Sequence, residues 1–493
     1  MNYIGISSGF HDAALTVVND NGDILFAGHS ERYSKVKHDK HIAIDLVYDA
    51  LQYVNGDFEL HYYERPWLKF LRQLRAGQNP NLGSLFTSNI LTKGAHKLLD
   101  NKKITTHNHH LSHAAAGFQT SSFEDATVVV IDAIGEFDTI TIWDARYVNG
   151  KAVYKKLWGR KYPDSIGLFY SAMTERVGLR PMDEEYILMG MAAYGEPKYY
   201  PELHNEVLVD SSQLHFRYNL HAGLSNDYLM SADHMDIASS SQMLVEQLIC
   251  NVLKHARING ISKNLVYGGG VALNCVANRL LGNYFDNVWI MPNPGDAGSS
   301  LGASALGYGN RINFNTCFTG NDIGGHYPVD GLLDKLLSDS IIGVASGRAE
   351  FGPRALGNRS LLADPRGKEI KDKVNKIKRR QQFRPFAPVI LEEHVHQYFD
   401  MPNNWRDSRY MQIVAKCRNP ELYPAITHAD NTSRVQTVPD DGSGIRKLLE
   451  KWYASTGCPM LLNTSLNIRG EPMVNDRLDA NRFEKLYGIR VLS

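Results

Sequence analysis

Short apolar runs alternate along the chain with polar, glycine-bearing turns, and the first set spans Tyr3 to Phe26. Tyr3-Ile4-Gly5-Ile6 is followed by the tight turn Ser7-Ser8-Gly9, the run Ala13-Ala14-Leu15-Thr16-Val17-Val18, the reversal Asn19-Asp20-Asn21-Gly22 and then Ile24-Leu25-Phe26. Apolar runs of this length bounded by Gly, Asn and Asp predict β-strands joined as hairpins. The layout returns at Val128-Val129-Val130-Ile131, with the turn Ala133-Ile134-Gly135-Glu136, a returning strand over 139–143 and the reversal Tyr147-Val148-Asn149-Gly150. Helical periodicity takes over from Ser241 to Ile258, after which the short strand Leu265-Val266-Tyr267 runs into Gly268-Gly269-Gly270. Val288-Trp289-Ile290-Met291 predicts one more strand, ending in Pro292-Asn293-Pro294-Gly295-Asp296. Segment 200–235 is polar and aperiodic; it reads as an insertion or flap and is assigned no chemistry.

Two hairpin units with small residues in their first turns predict a duplicated α/β fold whose paired turns face one cleft. That is the layout of the actin, hexokinase and Hsp70 type. An Asn-, Gly- and Thr-rich break over 310–331 places a domain boundary close to Val329, so the expected domains are 1–330 and 331–493. The second opens on the strand Ile341-Ile342-Gly343-Val344-Ala345. Further on, Ile370, Val374 and Ile377 mark one apolar helix face, which stops before the rigid segment Phe383-Arg384-Pro385-Phe386-Ala387-Pro388.

Candidate chemistry begins at His109-His110-Leu111-Ser112-His113. On a helix, positions 109 and 113 lie one turn apart on one face, close enough to share an ion. Asp132 and Asp296 both end predicted strands, and a duplicated fold brings both ends to one cleft. Two imidazoles with carboxylates suit Fe(II), Mn(II) or Zn(II), although such a pair taken alone also describes two surface histidines. The glycines at 268–270 would let a backbone approach an anion or nucleotide closely, with free N–H groups at the helix start. They fit neither a Walker loop nor a GxGxxG fingerprint, and a plain tight turn is the alternative. The stretch 62–75 mixes aromatics with cations, which fits a nucleic-acid-binding helix or, more commonly, an amphipathic helix with snorkelling cations. In the second part, the loop 346–360 holds three glycines and three arginines, and Arg434 and Arg469 lie in polar loops of their own. Singly these read as surface residues; converging from separate loops they would cage a phosphate.

Composition narrows the class. A chain of 493 residues suggests two or three domains, and 43% hydrophobic with 22% charged residues describes a soluble globular protein. Lys+Arg and Asp+Glu both number 53, so no overall field draws the protein to nucleic acid or membrane. The five cysteines are scattered without CxxC spacing, which argues against a disulfide framework or structural zinc site and fits a reducing cytoplasm. With neither a leader pattern nor a bilayer-length apolar run, the expected location is cytoplasmic, with no membrane partner.

Several blocks now resemble one family. They are His11-Asp12, Glu31-Arg32 with Lys37-His38-Asp39, His109-His110-x-x-His113-Ala114, Asp132-x-x-Gly135-Glu136 and Gly268-Gly269-Gly270-x-Ala272-Leu273-Asn274. Later in the chain come Phe351-Gly352-Pro353-Arg354-Ala355-Leu356-Gly357, Phe383-Arg384-Pro385-Phe386-Ala387-Pro388 and Asn463-Thr464-Ser465-x-Asn467-x-Arg469-Gly470-Glu471-Pro472. In this order the chain is similar to the NodU/CmcH O-carbamoyltransferases. The resemblance implies an actin-like N-terminal lobe and a smaller α/β, YrdC-like C-terminal lobe. It further implies that carbamoyl phosphate and ATP give carbamoyladenylate in the second lobe, and that an acceptor hydroxyl takes the carbamoyl group in the first. By motif, His109, His113, Asp132 and Asp296 would hold a divalent metal, expected to be Fe(II) with Mn or Zn as substitutes, and His11 would be the general base. Gly268, Gly269, Gly270 and Asn274, with Lys37, would receive the nucleotide, which would carry Mg. Arg354, Lys378, Arg384, Arg434 and Arg469, with Arg380 beside them, would grip carbamoyl phosphate.

The chain departs from the family pattern at Ala133, where Gly is usual, at Gln381 for Glu, at Asn431 for Gly and at Leu466 for Phe. It is also compact for the family, so acceptor-binding insertions are expected to be reduced or altered. The expected partner is a small-molecule hydroxyl compound, with a hydroxymethylated pyrimidine, free or in nucleic acid, as a less usual acceptor; a homodimer is compatible with the reading. Competing readings are a tRNA threonylcarbamoyl-type N-transferase and an ATP-binding regulator without catalysis.

Overall fold

The structure, a computed structural model, describes residues 1–225 and 227–493. Strands β1 (Asn2–Ser7), β2 (Ala14–Asn19) and β3 (Ile24–His29) form an antiparallel meander, and β4 (Phe58–Tyr62) and β5 (Ile104–Thr106) extend it in parallel from β1, giving the order β3-β2-β1-β4-β5. A second sheet repeats this strand for strand. Here β6 (Asp125–Gly135), β7 (Asp138–Val148) and β8 (Lys151–Lys161) make the meander, and β9 (Asn264–Gly268) and β10 (Asn287–Trp289) extend it in parallel from β6. Identical order and direction establish the duplicated actin-like architecture.

The near-continuous apolar run of β6 follows from burial on both faces. Val129 and Ile131 enter the core beneath the long helices, whereas Val128 and Val130 enter a separate core shared with Phe118 and Val266. Contrary to the sequence reading, β6 continues past Asp132 to Gly135. Its pairing with β7 is irregular between Ile131 and Gly135, and the reversal falls at Glu136, which has φ of 57°.

Five helices of this half matter for the site: α1 (Pro66–Arg75), α2 (His109–Phe118), α3 (Ile166–Arg176), α4 (His234–Asn259) and α5 (Ser299–Tyr308). Asn108 caps α2 by accepting a hydrogen bond from the Leu111 N–H, which fixes His109 in the first turn. Helix α5 packs on β1 and β2, α2 packs on β6 and β9, and the two helices lie against each other between the sheets. Their approach is close enough that a Cβ on Gly302 would stand 1.8 Å from the Ser112 carbonyl oxygen. Gly302→Val is therefore expected to cost about 3 kcal/mol, the upper end of overpacking penalties. Urea unfolding reads it, and an unchanged midpoint would contradict the packing.

Two sequence expectations need correction. Segment 200–235 is no loose flap: it holds a helix (Tyr200–Val207), a small hairpin (Leu208–Asp210 with His215–Phe216) and a turn (Leu220–Ala222). Leu203, Val207, Leu214, Phe216 and Leu220 are buried in the α4 core. Three short elements contribute so few core residues each that no period emerges. Residue 226 of that segment lies outside the described residues. The stretch 62–75 is helical only from Pro66, which occupies the first turn, where its missing N–H is not needed. Its two faces are mixed: Trp67, Leu71, Leu74 and Arg75 are exposed, while Phe70 and Arg72 are buried.

The C-terminal lobe is a smaller α/β unit. It contains α6 (Val329–Asp339), β11 (Ile341–Ala345), β12 (Arg359–Ala363), α7 (Ile370–Ile377), β13 (Ala387–Leu391), β14 (Gln436–Val438), α8 (Gly444–Thr456), β15 (Met460–Ser465) and β16 (Val491–Leu492). Its mixed sheet runs β14-β13-β15-β12-β11-β16, with one core around Trp452 and another around Phe399. Among the described residues, no helix is long and apolar enough to cross a membrane, and all five cysteines are free.

Candidate functional site

Between the two sheets, α2 aims both imidazoles at the carboxylates of Asp132 and Asp296. His109 Nε2 is 3.1 Å from Asp132 Oδ2 and 3.4 Å from Asp296 Oδ1, and His113 Nε2 is 3.3 Å from each of these oxygens. The two Nε2 atoms are 3.1 Å apart. Metal–ligand bonds of about 2.0–2.2 Å place neighbouring ligand atoms ~3.0–3.5 Å apart, so these four residues fit a first-row divalent ion. The rings are held for that task. His113 Nδ1 lies 3.1 Å from the Pro294 carbonyl oxygen and 3.1 Å from Ser299 Oγ, which leaves its Nε2 lone pair facing the cluster. His109 Nδ1 is 3.5 Å from Glu64 Oε2, and Glu64 in turn accepts from Lys69 Nζ at 2.7 Å. Burial alone would raise the Asp132 carboxyl; its bonds to both imidazoles outweigh this and hold it well below the usual range. His110 turns away, bonding through Nδ1 to Thr141 Oγ1 at 2.8 Å.

His11 comes from the first turn of the other copy. Its Nδ1 is 2.9 Å from Asp12 Oδ2, while its Nε2 faces the cluster 3.9 Å from Asp296 Oδ2. Asp12 adopts φ of 51°, a conformation Asp tolerates through local hydrogen bonding, and its other oxygen meets His38 Nδ1 at 2.7 Å. His38 Nε2 then reaches Asp183 at 2.9 Å. Burial pulls the His11 pKa down, but the Asp12 bond and the charges of Asp296, Asp12 and Asp132 push it up to about 9. A cation held between Asp132 and Asp296 would offset two of those charges and return the imidazole toward neutral.

Over this floor opens a cavity of about 460 Å³, walled by α1 on one side and α3 on the other, with Pro181, Met182 and residues 220–223 closing the rim. That volume suits a ligand of metabolite size. The glycine turn borders the same floor: Gly269, at φ of +88°, lies so close to β6 that a Cβ would stand 2.2 Å from the Ile131 carbonyl oxygen, and a Cβ on Gly270 would be 3.1 Å from Asp132 Oδ1. Gly268 lies on the same turn, against the His113 backbone. Asn274 is committed elsewhere, exchanging hydrogen bonds with Gln242 and capping the short helix Cys275–Asn278. Lys37 pairs with Asp183 at 3.1 Å and lies 5.7 Å over the Tyr186 ring.

On the facing side of the C-terminal lobe, Arg354, Arg384 and Arg434 converge. Among the described residues none of the three forms an ion pair with a carboxylate, and Arg434 Nε is buried without a hydrogen-bond partner. Burial, then the charges of Arg434 and Arg384, push Arg354 down to about 9, still charged at neutral pH. Arg384 stacks 4.8 Å over Tyr186. The other cations of the expected set have partners. Lys378 Nζ bonds to the Ser465 and Asn467 carbonyls and side chains, and Arg380 bonds to Asn375 and the Pro385 carbonyl. Both thus brace the loops that carry Arg384 and Arg469. Arg469 Nη2 reaches across the lobes to Glu184 Oε1 at 2.6 Å. Of the three arginines in loop 346–360, Arg348 and Arg359 bind backbone carbonyls, leaving Arg354 free for an anion.

Sequence reasoning did not single out Glu64, Asp183 and Glu184. Each acts through a partner distant in sequence, and no local spacing marks them.

Comparison with known proteins follows the same division. Residues 62–305 match the family model described as Carbamoyltransferase N-terminus, and residues 333–493 match Carbamoyltransferase C-terminus. Nodulation protein NolNO of Sinorhizobium fredii is 31% identical over 95% of this chain and 76% of its own length. The 3'-hydroxymethylcephem-O-carbamoyltransferase of Amycolatopsis lactamdurans is 33% identical over 46% of each protein. Among solved structures, component A of the (R)-2-hydroxyglutaryl-CoA dehydratase of Acidaminococcus fermentans overlays with a TM-score of 0.35 at 15% identity, covering 62% of this chain and 98% of its own.

Proposed function

The chain belongs to the NodU/CmcH carbamoyltransferase family, and from that premise we propose that it carbamoylates the hydroxyl group of an acceptor, using carbamoyl phosphate and ATP through a carbamoyladenylate. The observation that carries this reading is the division of labour between two sites: a His/Asp cluster under a metabolite-sized cavity in one lobe, and, among the described residues, three guanidinium groups without a carboxylate partner in the other.

Arg354, Arg384 and Arg434 receive the phosphate of carbamoyl phosphate through charge-assisted, fork-shaped contacts, with Arg469 added when it leaves Glu184. Hydrolysis there releases phosphate, and a carbamate oxygen attacks the α-phosphorus of ATP. The bond from that phosphorus to pyrophosphate breaks. Enclosure between the lobes protects the labile intermediate from water. In the N-terminal lobe, the glycine turn at 268–270 lies beside Asp132 and is suited to receive the adenylate end, with its backbone N–H groups toward phosphate. A divalent ion bound by His109, His113, Asp132 and Asp296 would supply Lewis-acid polarisation; the donor set suits Fe(II), with Mn(II) or Zn(II) as substitutes. His11 Nε2 takes the proton of the acceptor hydroxyl as its oxygen attacks the carbamoyl carbon, and AMP departs. Asp12 holds the tautomer that leaves Nε2 free for this, and His38 with Asp183 holds Asp12.

Incubation with labelled carbamoyl phosphate, ATP and a panel of hydroxyl compounds is expected to give AMP, pyrophosphate and a carbamoylated product. Pyrophosphate release independent of carbamoyl phosphate would defeat the reading. His11→Gln is expected to lower transfer to the acceptor about 10²–10⁴-fold, the usual contribution of a general base, with pyrophosphate release retained.

A further inference from the structure

The acceptor cavity contains a cation that nothing in the catalytic scheme uses. Lys69, Arg72 and Gln73 share the inner face of α1 and line the cavity with His221 opposite. Lys69 is neutralised by Glu64 at 2.7 Å. Arg72 is not: among the described residues it has no carboxylate within ion-pair distance. Its Nε is buried without a hydrogen-bond partner, and Nη1 has only a marginal contact to Gln78 Oε1 at 3.5 Å. The residue is 6% exposed, so water supplies little of the missing solvation. Burial pulls the Arg72 pKa down, with the Glu64 charge opposing, and the Arg72 charge in turn helps to hold His221 neutral. A guanidinium is costly to bury unpaired, because its charge and its five donors all lose water. Here that cost falls at the wall of a ligand cavity, on a helix whose outward face carries Trp67, Leu71 and Leu74 beside Arg75.

Resting on the proposed reaction, we propose that Arg72 is a specificity-determining residue and that the natural acceptor is a hydroxyl compound carrying an anionic group, carboxylate or phosphate, which pairs with Arg72 while its hydroxyl reaches His11. The cavity offers complementary surfaces for the rest of such a molecule. Phe10, Tyr63 and Leu168 give apolar contact, and Gln73 and His221 give neutral hydrogen bonding. The acidic residues of the cavity wall do not cancel Arg72: Glu64 is bound to Lys69 and Glu136 to Arg65, Asp132 and Asp296 face the two imidazoles, and Glu175 lies beyond ion-pair distance of it. A neutral acceptor would leave the guanidinium buried and unsatisfied, so discrimination comes from both the attraction and the penalty.

The test compares matched alcohols by calorimetry on the metal-loaded protein, where no turnover is needed: benzyl alcohol against 4-(hydroxymethyl)benzoate, and glucose against glucose 6-phosphate. At least one anionic member is expected to bind roughly tenfold to a hundredfold tighter than its neutral parent, the worth of a charge-assisted contact. Arg72→Gln is expected to erase that preference, with the neutral parent bound at least as well as by the native protein, and Arg72→Lys to retain part of it. Preference confined to the benzoate or to the sugar phosphate identifies which anion the acceptor carries. Equal binding of parent and anion by the native protein, failure of both anions to bind, or a preference that survives in Arg72→Gln overturns the proposal. Pyrophosphate release from ATP driven by carbamoyl phosphate needs no acceptor, so its loss would instead overturn the reaction assigned above.

Discussion

Replacing His113 with alanine is expected to lower carbamoyl transfer by at least about a thousandfold, while carbamoyl-phosphate-dependent release of pyrophosphate continues near its native rate. The asymmetry follows from where His113 sits. Its Nε2 touches both carboxylates of the cluster, and its ring is locked by Pro294 and Ser299, so no other side chain can replace it. Lewis-acid assistance supplies several kcal/mol of transition-state stabilisation, and about 1.4 kcal/mol is a factor of ten. The arginine cluster belongs to the other lobe and is untouched. Metal analysis should show the variant depleted of its ion, and persistent pyrophosphate release is an internal control for folding. Full transfer activity in metal-depleted His113→Ala would refute the role given to the cluster.

Arg384→Gln is expected to give the opposite pattern. Metal content should be unchanged, and the KM for carbamoyl phosphate in pyrophosphate release should rise roughly tenfold to a hundredfold through loss of one charge-assisted contact. The ligand-free protein should also melt higher by a few degrees. Arg354, Arg384 and Arg434 press three like charges together in a buried region with no carboxylate to offset them, and removing one relieves that repulsion. Added inorganic phosphate should then stabilise the native protein more than the variant, because ligand binding counts toward stability only where the site survives. Scanning calorimetry with and without phosphate measures both effects. A variant that melts lower and still binds phosphate normally would show that Arg384 is structural.

Some of this was legible in the sequence for physical reasons. A strand–turn–strand unit is local, so its repetition shows in the linear pattern, and the meander of each sheet follows from it, whereas β4 and β5, short and separated by helices, gave no such signal. The His109/His113 face is equally local, being set by helical geometry alone. Asn431, read as a departure from a Gly in the resembled family's pattern, holds a left-handed φ of 62°, which Asn tolerates better than most side chains. What stayed hidden depended on distant pairing. Nothing near Arg72 or Arg359 in the sequence tells that one lacks a carboxylate while five carbonyls hold the other. The burial of Arg72 on α1 was not legible either, because it depends on a cavity that elements distant in sequence complete. Likewise Lys378 looks like one more phosphate ligand until the carbonyls of 465 and 467 are seen around it.

The bond between Arg469 and Glu184 gives the resting protein a counter-ion of its own making. A glutamate tethered at that distance competes for Arg469 with any incoming anion at high local concentration. Glu184 also adjoins Asp183, the last carboxylate in the chain that steadies His11. An anion that draws Arg469 away leaves Glu184 to Arg180, whose backbone N–H and guanidinium both reach its carboxylate.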